Sequence, residues 1–199
     1  GADTLTISAA DTGIVDANFA NVTNFETLAL TGASTATLGT AAGAAGFVTG
    51  TGTIKTGAAA TSITADNSIA FTIDATSLAD DTNLTVADVV TSNLVVTGLQ
   101  GDLVTTALAG TLTVTTADNA GDNGISIETG AAATAVNVNA GNATDTVTIV
   151  ATDLVQGAAL TINAAGAGAA GTVNITALVG DVVLTNATTG TIGIAAVDA

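Results

Sequence analysis

The chain has 199 residues and a formal net charge of −16, because 17 Asp and Glu residues face a single basic side chain, Lys55. It has no His, Cys, Pro, Met, Trp or Tyr and only 4 Phe. These absences exclude an imidazole base, a thiolate nucleophile, a disulfide and a zinc or iron–sulfur site with nitrogen or sulfur ligands. One cation cannot neutralise a series of phosphates, so we expect no nucleic-acid partner and no attraction to anionic membranes.

Hydrophobic residues make up 48% of the chain, but Thr, Asn, Asp or Gly interrupts them every two or three positions. No apolar run approaches the roughly 20 residues of a spanning helix, so we expect no membrane insertion. Residues 1–10 have neither the basic start nor the apolar centre of a signal peptide, so an export signal is expected elsewhere. Many β-branched residues and the lack of Pro argue against disorder.

Alternation of apolar and polar residues predicts short strands along the whole chain. The predicted strands cover residues 5–7, 28–30, the region of Ile54, 71–73, 84–86, 112–114, 125–127, 136–138, 147–149, 160–162, 173–175 and 192–194. From Ile54 onward they recur about every 10 to 11 residues, separated by turn-forming Gly, Asn and Asp. No window has a sustained helical period, and the alanine-rich segment 41–45 is too short and too interrupted by Gly to predict a helix.

A longer repeat accompanies these strands. The hexapeptide TGAAAT at 56–61 recurs at 129–134, and residues 71–78 resemble 147–154. Further matches join 99–102 to 178–181 and 111–114 to 191–194. We predict a leader segment, 1–51, that contains the motif NFETLAL, followed by repeat unit 1 at 52–124 and repeat unit 2 at 125–199.

Repeated short strands built from small residues predict an all-β fold, a β-solenoid similar to a parallel β-helix, in which coils stack over a narrow core of Val, Ile and Leu. The alternative is a pair of tandem Ig-like β-sandwiches, whose strands recur at a similar spacing. Such sandwiches usually hold their sheets together with buried aromatic residues, which this chain lacks.

Oxygen-rich turns make calcium the expected cofactor, because calcium binds carboxylate, amide and carbonyl oxygens. Asp3 and Asp145 lie in degenerate copies of the glycine-rich nonapeptide of parallel β-rolls, and Asp118 and Asp122 lie in the turn-forming segment 118–124. These four Asp residues are the predicted metal ligands. The alternative interpretation is that they only form turns. The charge of −16 favours bound cations, because uncompensated carboxylates would oppose the stacking of coils.

Two further patterns could have a function, but each also has a simpler structural interpretation. Asp102 and Asp181 recur in register, and paired acids can hydrolyse glycosides. The chain lacks the aromatic residues and cations that bind sugars, so we predict that it is not an enzyme. Thr-x-Thr patterns at 111–116 and 146–148 resemble the threonine arrays of ice-binding solenoids, but Thr is also the ordinary outward-facing partner of Val in a strand.

The leader resembles a known group of proteins. GADTL, followed by NVTNFETLALTG at 21–32, is similar to segments of very large bacterial surface proteins with β-strand repeats, related to RTX proteins and calcium-dependent S-layer proteins. The phrases VTGLQGDL at 96–103, LAGTLTVTTADNAGDNGISIETGAAAT at 108–134 and DTVTIVATDL at 145–154 resemble their tandem repeats. This resemblance implies type I secretion, calcium-assisted folding outside the cell and a structural role in an S-layer, adhesin stalk, biofilm matrix or filament. The complete doubled-glycine nonapeptide is absent, which argues against one calcium ion in every turn.

We therefore expect a non-enzymatic extracellular protein at the bacterial cell surface that assembles with itself into a layer, matrix or filament, with calcium bridging its acidic turns. Its expected partners are copies of itself and cell-surface polysaccharide. The alternative is an adhesin stalk or binding module that meets a host, mineral, ice or polysaccharide surface.

Overall fold

The computed structural model describes residues 2–48, 52–65, 70–88, 93–117, 124–138, 146–165, 171–186 and 190–196. In this part of the chain the strands form two parallel sheets of nine strands each. The first sheet contains β1 Thr4–Ile7, β3 Thr27–Leu30, β5 Thr53–Thr56, β7 Phe71–Asp74, β9 Leu94–Leu99, β11 Leu112–Thr116, β13 Thr134–Asn137, β15 Ala159–Asn163 and β17 Asp181–Thr185. The second contains β2 Asp11–Ile14, β4 Ser34–Leu38, β6 Thr61–Ala65, β8 Asn83–Asp88, β10 Asp102–Thr106, β12 Ile125–Glu128, β14 Thr146–Val150, β16 Thr172–Leu178 and β18 Thr191–Ala196.

The chain alternates between the two sheets, so each coil contributes one strand to each sheet and then passes to the next coil. Every strand pair in the described residues is parallel, and partners are one coil apart, as when Leu94 pairs with Leu112. This topology confirms the predicted β-solenoid. The Ig-like alternative is wrong, because those sandwiches are built from antiparallel strands.

A continuous ladder of apolar side chains runs the length of the first sheet. In register it contains Leu5, Leu28, Ile54, Ile73, Val96, Val114, Val136, Ile162 and Leu184. The members between the two ends are fully buried. Each such side chain contributes about 1.5–3 kcal/mol relative to an exposed one. The period-2 alternation therefore does what the sequence predicts: alternate residues of each strand fill a narrow core shared by the two sheets.

The repeated hexapeptide TGAAAT forms the same kind of corner twice, on opposite edges of the solenoid. Residues 57–60 lead from the first sheet to the second, whereas residues 130–133 lead from the second to the first. The two copies lie seven strands apart, β5 and β12, and an odd number of strands exchanges the sheets. In both corners the last Thr donates its hydroxyl hydrogen to an Ala carbonyl, from Thr61 at 3.2 Å and from Thr134 at 3.4 Å. The unit boundaries at 52 and 125 stay predictions.

One short helix contradicts the prediction for residues 41–45. Residues Thr40–Ala45 form α1, although the segment was expected not to be helical. An isolated helix of this length is unstable in water. Asp16, at the start of a 3₁₀ turn one coil earlier, accepts hydrogen bonds from the backbone N–H groups of Gly39, Ala41 and Ala42 at 2.7, 2.9 and 2.8 Å. These bonds satisfy the free donors of the helix N-terminus from outside the helix.

The leader also contains an aromatic cluster beside this helix. Phe47 packs against Phe19 with the ring centroids 5.3 Å apart and the rings nearly perpendicular, and against Phe25 at 6.3 Å. Phe19 and Phe47 are buried. The helix and its capping carboxylate are thus held against the solenoid by the bulkiest side chains of the chain.

The glycines that begin the two hexapeptide corners are closely packed. A Cβ at Gly57 would lie 2.3 Å from the Thr31 carbonyl oxygen, and one at Gly130 would lie 2.4 Å from that of Leu108. We expect Gly57→Ala and Gly130→Ala each to destabilise the fold by about 1–3 kcal/mol, because a backbone atom must move in both corners. Chemical denaturation followed by circular dichroism measures the effect.

Gly13→Ala is the matched control, because its Cβ would meet only an Asp11 carboxylate oxygen at 3.4 Å. Equal stability of all three variants would contradict the corner geometry.

Candidate functional site

The predicted metal ligands are only partly placed by the structure. Asp3 is exposed and directly precedes β1; its backbone carbonyl accepts hydrogen bonds from the N–H groups of Glu26 and Thr27, both at 3.1 Å. Asp118, Asp122 and Asp145 lie outside the described residues. Within the described residues, no three acidic side chains form a group that could hold a metal ion. The four predicted ligands and the calcium cofactor therefore stay predictions.

The two Asp residues that recur in register do not form a catalytic pair. Asp102 begins β10 in the second sheet, whereas Asp181 begins β17 in the first. Asp102 instead accepts a hydrogen bond from the backbone N–H of Ser126 at 2.8 Å, which joins it to the next coil. Asp102 and Asp181 occupy equivalent positions in the two repeat units. They lie in different sheets because equivalent strands of the two units are seven strands apart and the chain alternates between the sheets.

The acidic side chains are concentrated at the edges of the solenoid. Each Asp or Glu in the described residues lies in a corner or is the first or last residue of a strand. The middles of the strands carry small residues on their outer face, as with Thr113 in β11 and Thr148 in β14. The predicted Thr-x-Thr residues thus lie on outer faces. The line of outer-face residues that contains Thr97 continues in register through Asp74 to Lys55, so threonine does not occupy it throughout.

The single lysine forms an ion pair across two neighbouring strands. Lys55 of β5 lies in register with Asp74 of β7, and Lys55 Nζ is 3.3 Å from Asp74 Oδ2. The hydroxyl of Thr76 donates to Asp74 Oδ1 at 2.6 Å. Burial opposes ionisation of Asp74, but the hydrogen bonds from Thr76 and the Lys55 ammonium outweigh it, so the pKa of Asp74 lies below its ordinary value.

The equivalent place in the second repeat has the opposite charge. IKTGAAAT at 54–61 becomes IETGAAAT at 127–134, so Glu128 stands where the first copy has Lys55. Glu128 lies in register with Val150, which replaces Asp74. Glu128 and Asp153 line one recess of about 190 Å³ together with Thr129, Val150 and Thr152. No sequence pattern predicted this recess, although the two octapeptides differ only in Lys55 and Glu128, which have opposite charges.

One end of the solenoid exposes residues of the core type. Leu184 of β17 continues the inward ladder after the buried Ile162, yet it is 41% exposed. Ile194 of β18 continues it after the buried Ile175 and is 50% exposed. No strand in the described residues pairs with the outer edge of β17 or β18. Within the described residues, β17 and β18 are therefore the outermost strands of the two sheets at this end.

The fold defines the class of protein as a parallel, two-sheet β-solenoid repeat protein. No family model matches the chain, and no curated protein or solved structure matches it either. In the part of the chain that the structure describes, no helix has the length and apolar character needed to cross a membrane.

Two carboxylates with lowered pKa values predict how the fold responds to acid. Burial also opposes ionisation of Asp16, but the three backbone N–H groups at the start of α1 outweigh it and lower its pKa. Asp16 and Asp74 therefore contribute stability above the unfolded-state pKa of about 3.9, and this contribution is lost as the pH falls through their folded-state values. We expect Asp16→Asn and Asp74→Asn to reduce the melting temperature at pH 7 and to flatten its fall below pH of about 4.

Thermal melts between neutral and strongly acidic pH test this expectation. Asp181→Asn, at an exposed site, is the control and should keep the wild-type profile. Profiles of the two variants that run parallel to the wild type would contradict it.

Proposed function

We propose that this chain is a non-enzymatic structural protein of the bacterial cell surface, and that its solenoids stack head to tail into filaments or layers outside the cell. The observation that supports this proposal is the parallel stacking of coils in two sheets, which another copy can continue at β17 and β18. The extracellular location is supported by the sequence resemblance alone.

A second copy of this chain can continue the two sheets beyond β17 and β18, because the strands at the other end of the described solenoid belong to the same two sheets. β1 and β2 are the terminal strands of the same two sheets at that end, and Leu5 and Ile7 of β1 are partly buried inward residues. If β1 stacks on β17 with the first residues of the two strands paired, inward residues lie over inward residues, Leu5 over Val182 and Ile7 over Leu184. Both sheets then continue across the junction with their strands parallel.

Such an interface joins different surfaces of the two copies and does not close on itself. Head-to-tail contacts of this kind generate open filaments unless the rotation between subunits closes them into a ring. Each junction would cover exposed side chains such as Leu184 and Ile194, whose burial is worth about 1.5–3 kcal/mol each, and would pair two strand edges.

In the proposed stacking, calcium would bridge acidic residues of two neighbouring copies. In the same register Asp181, the first residue of β17, lies beside Thr4 of the neighbouring copy and therefore next to its Asp3. Both residues are exposed carboxylates in a chain of net charge −16, so their approach is unfavourable without a counter-ion. A calcium ion bound between them supplies that counter-ion through oxygen ligands. We propose this junction as the role of Asp3.

An adhesin stalk or binding module is the second candidate, and the outer face of the first sheet favours it. From β9 to β17 one row contains Thr97, Thr115, Asn137, Asn163 and Thr185, all without charge. The Asn163 amide donates to Asn137 Oδ1 at 3.4 Å, which orders part of the row. Neutral hydrogen-bonding groups along the outer face of a sheet suit a polysaccharide. A protein that stays monomeric with and without calcium would favour this candidate over assembly.

Ile194→Lys tests the stacking. A charge placed in the apolar layer should prevent filaments, whereas the wild type should polymerise as its concentration rises. Val155→Lys is the matched control, because Val155 is also an exposed apolar residue, at 53%, but lies in the corner between β14 and β15. Sedimentation velocity and negative-stain electron microscopy provide the readout. Monomeric wild type at all concentrations, or filaments of Ile194→Lys equal to the wild type, would refute the stacking.

Asp181→Asn tests the calcium junction separately. Removing one of the two carboxylates should let filaments form at calcium concentrations at which the wild type stays monomeric, because the repulsion that calcium offsets is reduced. Asp3→Asn should act in the same way. Asp102 is a carboxylate in the middle of the solenoid, so Asp102→Asn should keep the wild-type calcium requirement. Light scattering during a calcium titration measures the requirement, and equal thresholds for all four proteins would show that no ion bridges the junction.

A further inference from the structure

We propose that Asn83 is an acceptor for an N-linked sugar, and that the attached sugar lies against a hydroxyl-lined recess on the outer face of the second sheet. This modification site is additional to the structural role proposed above. It shares with that role only the export of the chain to the cell surface, and it does not depend on the stacking of copies.

The sequence contains five triplets of the form Asn-x-Thr, the acceptor pattern of N-glycosylation. The chain has no Pro to block their middle position, and the triplets begin at Asn21, Asn83, Asn142, Asn174 and Asn186. Triplets of this form also arise by chance in a chain rich in Thr, so the fold decides which of them can carry a sugar. Asn142 and Thr188 lie outside the described residues, which leaves the triplets of Asn21, Asn83 and Asn174.

These three triplets differ in how well the folded protein accommodates a sugar. Asn174 is half-buried in the interior of β16, where it lies in register between Thr148 and Gly193. Asn21 and Asn83 are exposed, Asn21 in the loop before β3 and Asn83 as the first residue of β8. Within the described residues the side-chain amide of Asn83 makes no hydrogen bond, so attachment of a sugar breaks no contact of the fold.

The Asn83 triplet presents both of its recognition groups on one face. Asn83 and Thr85 are two positions apart in β8, so their side chains point outward, whereas Leu84 between them is fully buried in the core. A sugar on Asn83 therefore leaves the apolar ladder intact. In the folded protein β8 pairs with β6 and β10, so transfer takes place on the unfolded chain, before the coils stack.

A recess of about 320 Å³ adjoins Asn83 and extends over the outer face from β2 to β8. Its lining carries no charge, and it includes hydroxyls of Thr35, Ser62 and Thr85, which lie in register on β4, β6 and β8. A hydroxyl both donates and accepts hydrogen bonds, as the hydroxyls of a sugar do. The first sugar ring attached to Asn83 can therefore lie in this recess and exchange hydrogen bonds with it.

The modification is a transfer from a phosphate-activated sugar, catalysed by a glycosyltransferase of the producing cell. Nδ2 of Asn83 bonds to the anomeric carbon of the sugar. The bond from that carbon to the phosphate oxygen breaks, and the phosphate leaves with the electron pair. The amide nitrogen loses one proton, so it is uncharged before and after the transfer. This chain acts only as the acceptor.

Mass spectrometry of the chain isolated from its native cells tests the proposal. A protease that cleaves before Asp releases residues 81–87, in which Asn83 is the only Asn. This peptide should carry the added mass of one or more hexose or N-acetylhexosamine units. Asn93 is the matched control, because it is exposed and its triplet, Asn-Leu-Val, differs from Asn-Leu-Thr only at the third position. The peptide 88–101, which contains Asn93, should have no sugar on that residue.

Variants made in the same cells test the triplet itself. Asn83→Gln should remove the added mass. Thr85→Ala should remove it although the amide is intact, and Thr85→Ser should keep it, because the hydroxyl at the third position is required. Poor folding of a variant does not hide the result, because transfer precedes folding and the peptide is read after digestion.

An unmodified peptide 81–87 in the wild type, or a sugar on Asn21 but not on Asn83, would overturn the proposal. So would a modification that survives Thr85→Ala. Stacking is measured separately, by the sedimentation of Ile194→Lys, so failure of the sugar site and failure of the proposed assembly are distinguishable.

Discussion

The structure depends on one constraint, the close parallel stacking of coils at the spacing of paired strands. Neighbouring strands lie about 4.8 Å apart, so a side chain at a corner has almost no room between one coil and the next. Gly57 and Gly130 satisfy this constraint directly, because a carbonyl oxygen of the adjacent coil lies where their Cβ would be. The richness in Ala, Gly and Thr suits this spacing, and most of the large apolar side chains point into the core.

The same stacking determines where charge can lie. A carboxylate in the middle of a strand would face like charges in the neighbouring coils, and the described Asp and Glu residues are instead in corners or at strand ends. The faces of the sheets are left nearly neutral, while the edges are acidic. Any partner that meets an edge of this solenoid meets carboxylates, which is why the proposed junction involves a cation.

The strands and the repeat were readable from the sequence because both are local patterns. The alternating segments predicted as strands all coincide with strands, except that 136–138 extends one residue past β13. Among the strands that were not predicted, β17 contains the consecutive apolar residues Val182, Val183 and Leu184 and so shows no alternation. The strands β4 and β6 were missed because small polar residues dominate them. The helix α1 was missed for a different reason: its stability comes from Asp16, a residue one coil away that no local pattern connects to it.

What the sequence determined by itself is the all-β solenoid, its small-residue packing and the chemistry it lacks, because these follow from composition and from a period of two residues. Only the tertiary structure decided that the repeat copies lie on opposite sheets, because that depends on whether an odd or even number of strands separates them. It also decided that Lys55 meets Asp74 and that Glu128 shares a recess with Asp153. These residues are about 20 to 25 positions apart in the chain and become neighbours only through the length of each coil.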